Sequence, residues 1–112
     1  MSDCLFCKII KKEIPAKLEF EDDQVIAIQD IHPQAPVHLL VIPKKHLGQV
    51  SDMNGSDKAL LGHLIYTAKN IAADKNWTDY RLLFNNGAEA GQSVFHIHLH
   101  LLSGRRMHWP PG

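Results

Sequence analysis

The sequence predicts a small mixed fold of α-helices and β-strands. Short apolar runs bounded by turn residues predict strands, and one long segment with apolar residues three and four apart predicts an amphipathic helix. Near the C-terminus, histidines recur at every second position, which is strand spacing. The length of 112 residues fits one domain, so we treat residues 1–112 as a single unit.

The first part of the chain is predicted to form a short helix and three strands. Apolar residues at helical spacing predict a helix over residues 4–13, which ends before Pro15. Residues 18–21 and residues 25–28 have the pattern of strands and are joined by a polar turn, which predicts a hairpin. Residues 30–36 hold two prolines and are predicted to form a loop, whereas the apolar run at 38–42 is typical of a buried strand.

The second part is predicted to form the long helix and two further strands. Residues 57–74 carry the helical repeat, and this helix is expected to cover the sheet. Residues 81–84 predict a strand, residues 85–91 a loop rich in Gly and Asn, and residues 94–102 the strand that carries the histidines. The proline-rich end at 109–112 excludes regular structure.

Composition excludes several function classes. The chain has 12 Lys and Arg against 12 Asp and Glu and no long basic run, which argues against a nucleic-acid partner. No signal-peptide pattern and no apolar run long enough to span a membrane is present, so we expect no membrane partner and a cytoplasmic location.

The histidine run indicates chemistry. On a strand, alternate side chains share a face, so the apolar residues Ile97, Leu99 and Leu101 would pack while His96, His98 and His100 would face the other way. The first and last Cα atoms of such a run lie about 13 Å apart. Zinc needs its nitrogens at about 2.0–2.1 Å, so three histidines in one strand could not easily share one metal. An array for acid, base and nucleophilic chemistry is therefore favoured over a metal centre.

These residues also resemble a known family. The run from His96 to Leu102 is similar to the His-x-His-x-His signature of the histidine-triad family, and further matching segments resemble its Hint branch. Those segments are residues 30–38, residues 41–46, Asn85 and residues 91–94. The end of the chain, residues 107–112, is similar to the C-terminus of the Hint nucleoside phosphoramidases.

The resemblance implies a fold, an assembly and an activity. The fold would be α+β, with a five-stranded antiparallel sheet, one long helix and one short helix, and the sheet would extend across a homodimer. The tail, residues 105–112 with Trp109, would lie near the site of the dimer partner. The activity would be hydrolysis of the P–N bond in purine nucleoside 5′-phosphoramidates, which are AMP or GMP adducts of an amine.

Catalytic roles follow for four residues. His98 can attack phosphorus as a neutral imidazole, because an unperturbed pKa near 6.5 leaves it largely deprotonated at neutral pH. By resemblance, His100 and His38 would donate to the phosphate and fix the ring of the nucleophile. Ser93 would help to pass a proton to the leaving nitrogen. No metal cofactor is required by this scheme.

The resemblance also implies a nucleotide site. Asp30 would accept hydrogen bonds from the ribose hydroxyls, although a turn cap is an alternative role for it. The base would lie among apolar residues, which taken alone would be interpreted as core: Phe6, Ile9, Ile28 and Ile31. The phosphate would meet Asn85 and the loop of Gly91, Gln92, Ser93 and Val94, where backbone amides could bind an anion. Taken alone, Asn85 and Gly91 would be interpreted as ordinary turn residues.

The cysteine pair is the second constellation. Cys4 and Cys7 lie one helical turn apart, and three interpretations remain open: a structural zinc site, packing against the core, and a redox pair. The resemblance to some family members implies a zinc set of Cys4, Cys7, His46 and His96. In that case His96 would be scaffold rather than catalyst.

Three other functions compete with phosphoramidate hydrolysis. One is hydrolysis of dinucleoside polyphosphates, against which the C-terminal tail argues. Another is a non-catalytic purine nucleotide-binding or scaffold protein, and a third is a metallohydrolase built on the histidines. The sequence does not distinguish between adenine and guanine or identify the amine leaving group.

Overall fold

The computed structural model describes residues 3–112 and contains two α-helices and one five-stranded sheet in that range. In chain order the elements are α1 (Leu5–Ile10), β1 (Leu18–Glu21), β2 (Val25–Gln29), β3 (Val37–Pro43), α2 (Lys58–Asp74), β4 (Tyr80–Leu83) and β5 (Leu99–Ser103). Short 3₁₀ turns at 50–52, 55–57 and 88–90 connect them. The predicted α+β fold class is confirmed. No described helix is long and apolar enough to cross a membrane.

All neighbouring strands of the sheet are antiparallel, in the order β1-β2-β3-β5-β4. β3 lies at the centre, with β2 on one side and β5 on the other. Its register with β5 sets His38 opposite Leu102 and Leu40 opposite His100. Because β5 inserts between β3 and β4, the C-terminal histidines are brought next to a strand that lies some 60 residues earlier in the chain.

The two faces of the sheet bury two separate cores. Alternate residues of β3 divide between them: Leu39 and Val41 pack towards α2, whereas Leu40 and Ile42 pack towards α1. Each buried aliphatic side chain contributes about 1.5–3 kcal/mol relative to an exposed one. This alternation explains how an apolar run at 38–42 serves both faces.

The starts of the two helices differ, because the N-cap residue of α2 makes no side-chain capping hydrogen bond. Cys4 caps α1, and its Sγ accepts from the backbone N–H of Cys7 at 3.4 Å. α1 is shorter than the predicted 4–13, because Lys12 turns into the left-handed region with φ of 66°. α2 starts at Lys58, after a capping box in which Asn54 and the buried Asp57 cap each other's backbone amides.

The predicted strand over residues 94–102 is wrong in its first half. β5 begins at Leu99, so His96 and His98 precede it. The register that pairs Val41 with Leu99 would place Pro43 opposite Ile97, and proline has no N–H to continue the ladder. The amide of Ile97 instead donates to the carbonyl of Leu47 at 2.7 Å. The alternating burial persists, since Ile97, Leu99 and Leu101 all join the core under α2.

Candidate active site

A cavity of about 410 Å³ opens between α1, the end of β2 and the segment that carries the C-terminal histidines. One wall is apolar, and the other holds Asp30, Ser93, His98 and His100. Nine of the residues predicted for the nucleotide site line it, namely Phe6, Ile9, Ile28, Asp30, Ile31, Ser93, Val94, His98 and His100. The α1 helix therefore brings an apolar surface to face polar groups from three later segments.

The ring of His98 is held by one backbone hydrogen bond. Its Nδ1 lies 2.8 Å from the carbonyl oxygen of His96, and a carbonyl only accepts, so Nδ1 carries the proton. Nε2 is then left with a lone pair. The edge of the Phe6 ring packs on the imidazole at a centroid distance of 5.0 Å. Burial lowers the pKa of His98, so the ring is neutral at pH 7.

A chain of hydrogen bonds sets the neighbouring histidines. The backbone N–H of Gln34 donates to Nδ1 of His38 at 3.0 Å, which leaves the proton of His38 on Nε2. That Nε2 lies 2.9 Å from Nδ1 of His100 and donates to it. The remaining nitrogen of His100, Nε2, therefore bears a hydrogen. It is buried and has no hydrogen-bond partner among the residues the structure describes.

Burial keeps this pair neutral. It lowers the pKa of His100 to about 4, with further lowering from His98 and His38 and a smaller opposing effect of Asp30. Burial also lowers the pKa of His38. A buried N–H without a partner costs free energy, and such exceptions in native structures are often functional. His100 thus offers one unused hydrogen-bond donor beside the lone pair of His98.

Asp30 joins this group at the rim of the cavity. One carboxylate oxygen, Oδ1, accepts from the backbone N–H of His32 at 2.8 Å, and Oδ2 lies 3.4 Å from Nε2 of His38. Lone pairs remain on both oxygens, because a carboxylate accepts about four hydrogen bonds. The Asx turn at His32 shows that the turn-cap role and an open acceptor coexist in one side chain.

Four predicted nucleotide-site residues do not line the cavity: Asn85, Gly91, Gln92 and Trp109. Gln92 is buried, and its side chain accepts from the N–H of Gly87 and donates to the carbonyls of Gly48 and Val94. Its side chain therefore joins three loops, and the predicted role of its backbone amide stays a prediction. Gly91 has φ of 103°, which favours glycine, and the Asn85 amide lies against it.

The C-terminal tail lies away from the cavity of its own chain. Trp109 is 82% exposed, and the segment is tied to β4 where Arg81 Nη2 donates to the carbonyl of His108 at 2.8 Å. The predicted position beside a partner's site stays a prediction.

The second cluster joins both cysteines to two histidines. Ligand atoms of Cys4, Cys7, His46 and His96 all lie within 4.8 Å of one another. The Nδ1 of His96 is 3.3 Å from Cys4 Sγ and 3.6 Å from Cys7 Sγ. His46 Nδ1 is 3.4 Å from Cys7 Sγ and 3.0 Å from His96 Nδ1. This is the set that the resemblance implied for zinc.

The distances between these atoms suit a tetrahedral zinc. Bonds of about 2.3 Å to sulfur and about 2.0–2.1 Å to nitrogen separate sulfur from nitrogen by about 3.6 Å, and nitrogen from nitrogen by about 3.3 Å. The fully buried His96 donates from Nε2 to the carbonyl of Pro43 at 2.7 Å, so its lone pair is on Nδ1, towards the cysteines. The donor set and its outer hydrogen bond therefore fit zinc.

Sequence reasoning missed three contributors. Lys17 and His32 also line the cavity, and the backbone amide of Gln34 decides which nitrogen of His38 is protonated. His32 lies two residues after Asp30 in the sequence, and this proximity is a signal that could have identified it. A backbone amide carries no side-chain signal, so the role of Gln34 had none.

Comparisons with known proteins agree with this geometry. Residues 3–108 match the family model described as scavenger mRNA decapping enzyme C-term binding. An uncharacterized HIT-like protein of Synechocystis sp. is 57% identical over 98% of this chain and 97% of its own. A 14 kDa zinc-binding protein of Zea mays is 47% identical over 99% of this chain and 89% of its own.

Solved structures give the same result. A HIT family hydrolase from Legionella pneumophila superposes with a TM-score of 0.95 at 52% identity, over 98% of this chain and all of that one. A histidine triad protein from Clostridium difficile superposes with a TM-score of 0.93 at 38% identity, over 96% of each chain. At these identities the likeness extends beyond the fold to the sequence.

Proposed function

Since the chain belongs to the histidine-triad family, whose hydrolases share its fold, we propose that it hydrolyses purine nucleoside 5′-phosphoramidates. The substrates are adducts of AMP or GMP with ammonia or an amine, including lysine. Acyl adenylates, which carry a P–O bond to a carboxylate in place of the P–N bond, would react through the same nucleotidyl-histidine intermediate. The products are the nucleoside monophosphate and the free leaving group.

The observation that carries this proposal is the state of His98. Its Nδ1 is committed to the His96 carbonyl, so the lone pair is on Nε2 of a neutral ring in a residue that lines the cavity. A neutral imidazole with one nitrogen anchored is a ready nucleophile for phosphorus. The Nε2 of His98 bonds to phosphorus while the P–N bond breaks and the nitrogen departs with a proton. Water then attacks the phosphohistidine and releases the monophosphate.

The surrounding groups match the needs of that reaction. The unpartnered Nε2–H of His100 donates to a phosphoryl oxygen as charge accumulates, with His38 behind it. Ser93 at the cavity wall passes the proton to the leaving nitrogen, and the loop of Gly91 and Gln92 supports it. Neither step needs a metal ion.

The other end of the cavity accommodates the nucleoside. Asp30 accepts from the ribose hydroxyls, because its carboxylate lies at the rim with lone pairs to spare. The base packs in the slot of Phe6, Ile9, Ile28, Ile31 and Val94. Asn85 supports the phosphate loop through its contact with Gly91.

The cysteine cluster would hold a structural zinc ion. Cys4, Cys7, His46 and His96 fit it, and the name of the maize relative supports it. Zinc there would cross-link the start of α1 to the segments before α2 and β5, and no catalytic step would pass through it. We also propose a homodimer in which the tail with Trp109 lies beside the partner's site.

The test is release of AMP from adenosine 5′-phosphoramidate by the wild-type protein, with and without a zinc chelator. His98→Ala is the critical variant, and His63→Ala is the matched control, since His63 pairs with Asp22 on the surface of α2. We expect turnover that His98→Ala abolishes and that both the chelator and His63→Ala spare.

Each alternative has its own result. Tight AMP binding without turnover would identify a nucleotide-binding module. Faster cleavage of a diadenosine polyphosphate would place the chain in the other hydrolytic branch. Turnover that chelation abolishes in protein that stays folded would return the metallohydrolase to consideration.

A further inference from the structure

Residues outside the cavity determine how His100 presents its proton. Either ring nitrogen of the neutral His38 imidazole can carry the hydrogen, so its hydrogen-bond partners decide which one does. The Gln34 amide donates to Nδ1 and thereby selects the Nε2–H form of His38. That form donates to Nδ1 of His100 and leaves His100 with its hydrogen on Nε2.

The loop that supplies this amide is held by the segment after β5. Arg105 Nε donates to the carbonyl of Gln34 at 2.9 Å, so both backbone polar groups of Gln34 are engaged. A second guanidinium nitrogen, Nη1, donates to the carbonyl of Arg106 at 2.9 Å. The guanidinium is thus a rigid bridge between the loop and the start of the tail.

A close backbone contact supports the same docking. Gly104 has φ of 95°, and a Cβ there would lie 3.0 Å from Cβ of Pro36. A side chain at position 104 would push the loop away from β5. Gly104 and Arg105 together therefore keep the loop against the strand that carries His100.

We propose that Arg105 is a positioning residue for the reaction, acting through Gln34 and His38 on the donor nitrogen of His100. Its catalytic consequence rests on the proposed function, whereas its effect on the histidine tautomers does not. Arg105 itself is exposed and does not line the cavity. It acts by holding the position of Gln34 and does not contact the reacting atoms.

Two substitutions separate geometry from charge. Arg105→Met removes the Nε–H, and Arg105→Lys keeps the positive charge but places a methylene where Nε lies. Arg106→Met is the matched control, because it removes the same charge from the neighbouring exposed position. Unfolding temperatures of all variants verify that each is folded.

Two readouts follow the chain of hydrogen bonds. The first is the ¹⁵N NMR pattern of the histidine rings, which distinguishes protonated from unprotonated ring nitrogens. We expect single Nε2–H forms of His38 and His100 in the wild type and in Arg106→Met, and mixed forms of His38 in both Arg105 variants. The second is kcat, for which one weakened hydrogen bond predicts a decrease of up to about tenfold in both Arg105 variants with KM unchanged.

Two results would overturn the inference. One is a His38 tautomer that is unchanged in Arg105→Met and Arg105→Lys. The other is full restoration of kcat and of the single tautomer by Arg105→Lys, since charge alone would then suffice. If the wild type does not hydrolyse phosphoramidates, the proposed function fails, and the NMR pattern still decides whether Arg105 positions His38.

Gln34 gives an independent test. Gln34→Pro removes the amide donor, and Gln34→Ala keeps it while deleting the side chain that donates to the His32 carbonyl. We expect the mixed tautomer in the proline variant alone. A mixed tautomer in both variants would show that the side chain, not the amide, orients His38. A single tautomer in both would show that neither group orients it.

Discussion

His96 and His98 are two residues apart and have opposite arrangements of their ring nitrogens. His96 donates from Nε2 to the carbonyl of Pro43 and turns Nδ1 towards two cysteines. His98 donates from Nδ1 to the carbonyl of His96 and keeps Nε2 free of that bond. Burial lowers both pKa values, to about 4 for His96, so both rings are neutral at pH 7. The backbone carbonyl that each ring meets decides which nitrogen is left for chemistry.

The two rings are also linked in series. The carbonyl that orients His98 belongs to His96, whose own ring is anchored to Pro43 and packed edge-on against His46 at 4.7 Å. A rigid His96 therefore holds the carbonyl that orients His98, the proposed nucleophile. We expect the first histidine to contribute stability and the second to contribute reactivity.

The first prediction compares the loss of His98 with the loss of His96. His98→Ala should reduce AMP release at least about 1,000-fold, because the nucleophile is lost, with a stability change of roughly 1 kcal/mol. His96→Ala should instead reduce the free energy of unfolding by roughly 3 kcal/mol, because it empties a fully buried site. AMP release at low temperature and urea unfolding measure the two quantities. Equal effects of both variants on AMP release and on unfolding would contradict the separate roles of His96 and His98.

Removal of the proposed zinc ion tests whether the cluster that contains His96 contributes stability and not turnover. His46→Asn should abolish bound zinc and lower the unfolding temperature by at least about 10 °C, since a ligand that binds only the folded state stabilises it. Turnover below that temperature should stay close to wild type. Zinc content and thermal unfolding are the measurements, with His108→Asn as the control because its side chain is exposed. A variant that retains zinc, or that is folded and inactive, contradicts the assignment.

A further prediction concerns pH and His100. The pKa of His100 falls from 6.5 to about 4 on folding, so between these values the unfolded chain binds a proton that the folded chain does not. The free energy of unfolding should therefore decrease as the pH falls from about 6.5 to about 4, by up to about 1.4 kcal/mol per pH unit from this group. The charged or titratable groups that face it are Asp30, His38 and His98.

His100→Asn should flatten that part of the pH profile, since asparagine does not titrate and its side-chain oxygen can accept from His38. Urea unfolding of wild type and variant at several pH values between 4 and 7 makes the comparison. An unchanged slope in the variant would mean that His100 is protonated in the folded protein at higher pH than its burial implies.

Much of the fold followed from local pattern. The period of residues 57–74 predicted α2 to within one residue, because a helix on a sheet must show one apolar face. The alternation through Ile97, Leu99 and Leu101 predicted the buried face although β5 starts only at Leu99. The predicted strand was too long at its start. Pro43 would lie opposite Ile97 and has no N–H to continue the ladder, and Pro43 is distant from Ile97 in the sequence.

For the candidate site, too, local motifs predicted some features and not others. Matching motifs predicted nine of the residues that line the cavity and the four-residue cluster of cysteines and histidines. They did not identify the Gln92 side chain as a buried link between loops, because an amide can form hydrogen bonds with a ligand or with backbone groups.

Local sequence patterns predicted the helices, the apolar faces of the strands and the residue types available for nucleophilic and metal chemistry. The nitrogen of each histidine that is left without a proton follows from contacts made in the folded chain. Imidazole tautomers depend on single carbonyl and amide groups, and these come from Pro43, Gln34 and the backbone of His96. The antiparallel register of β3 and β5 brings such groups together across about 60 residues, and no local pattern encodes that register.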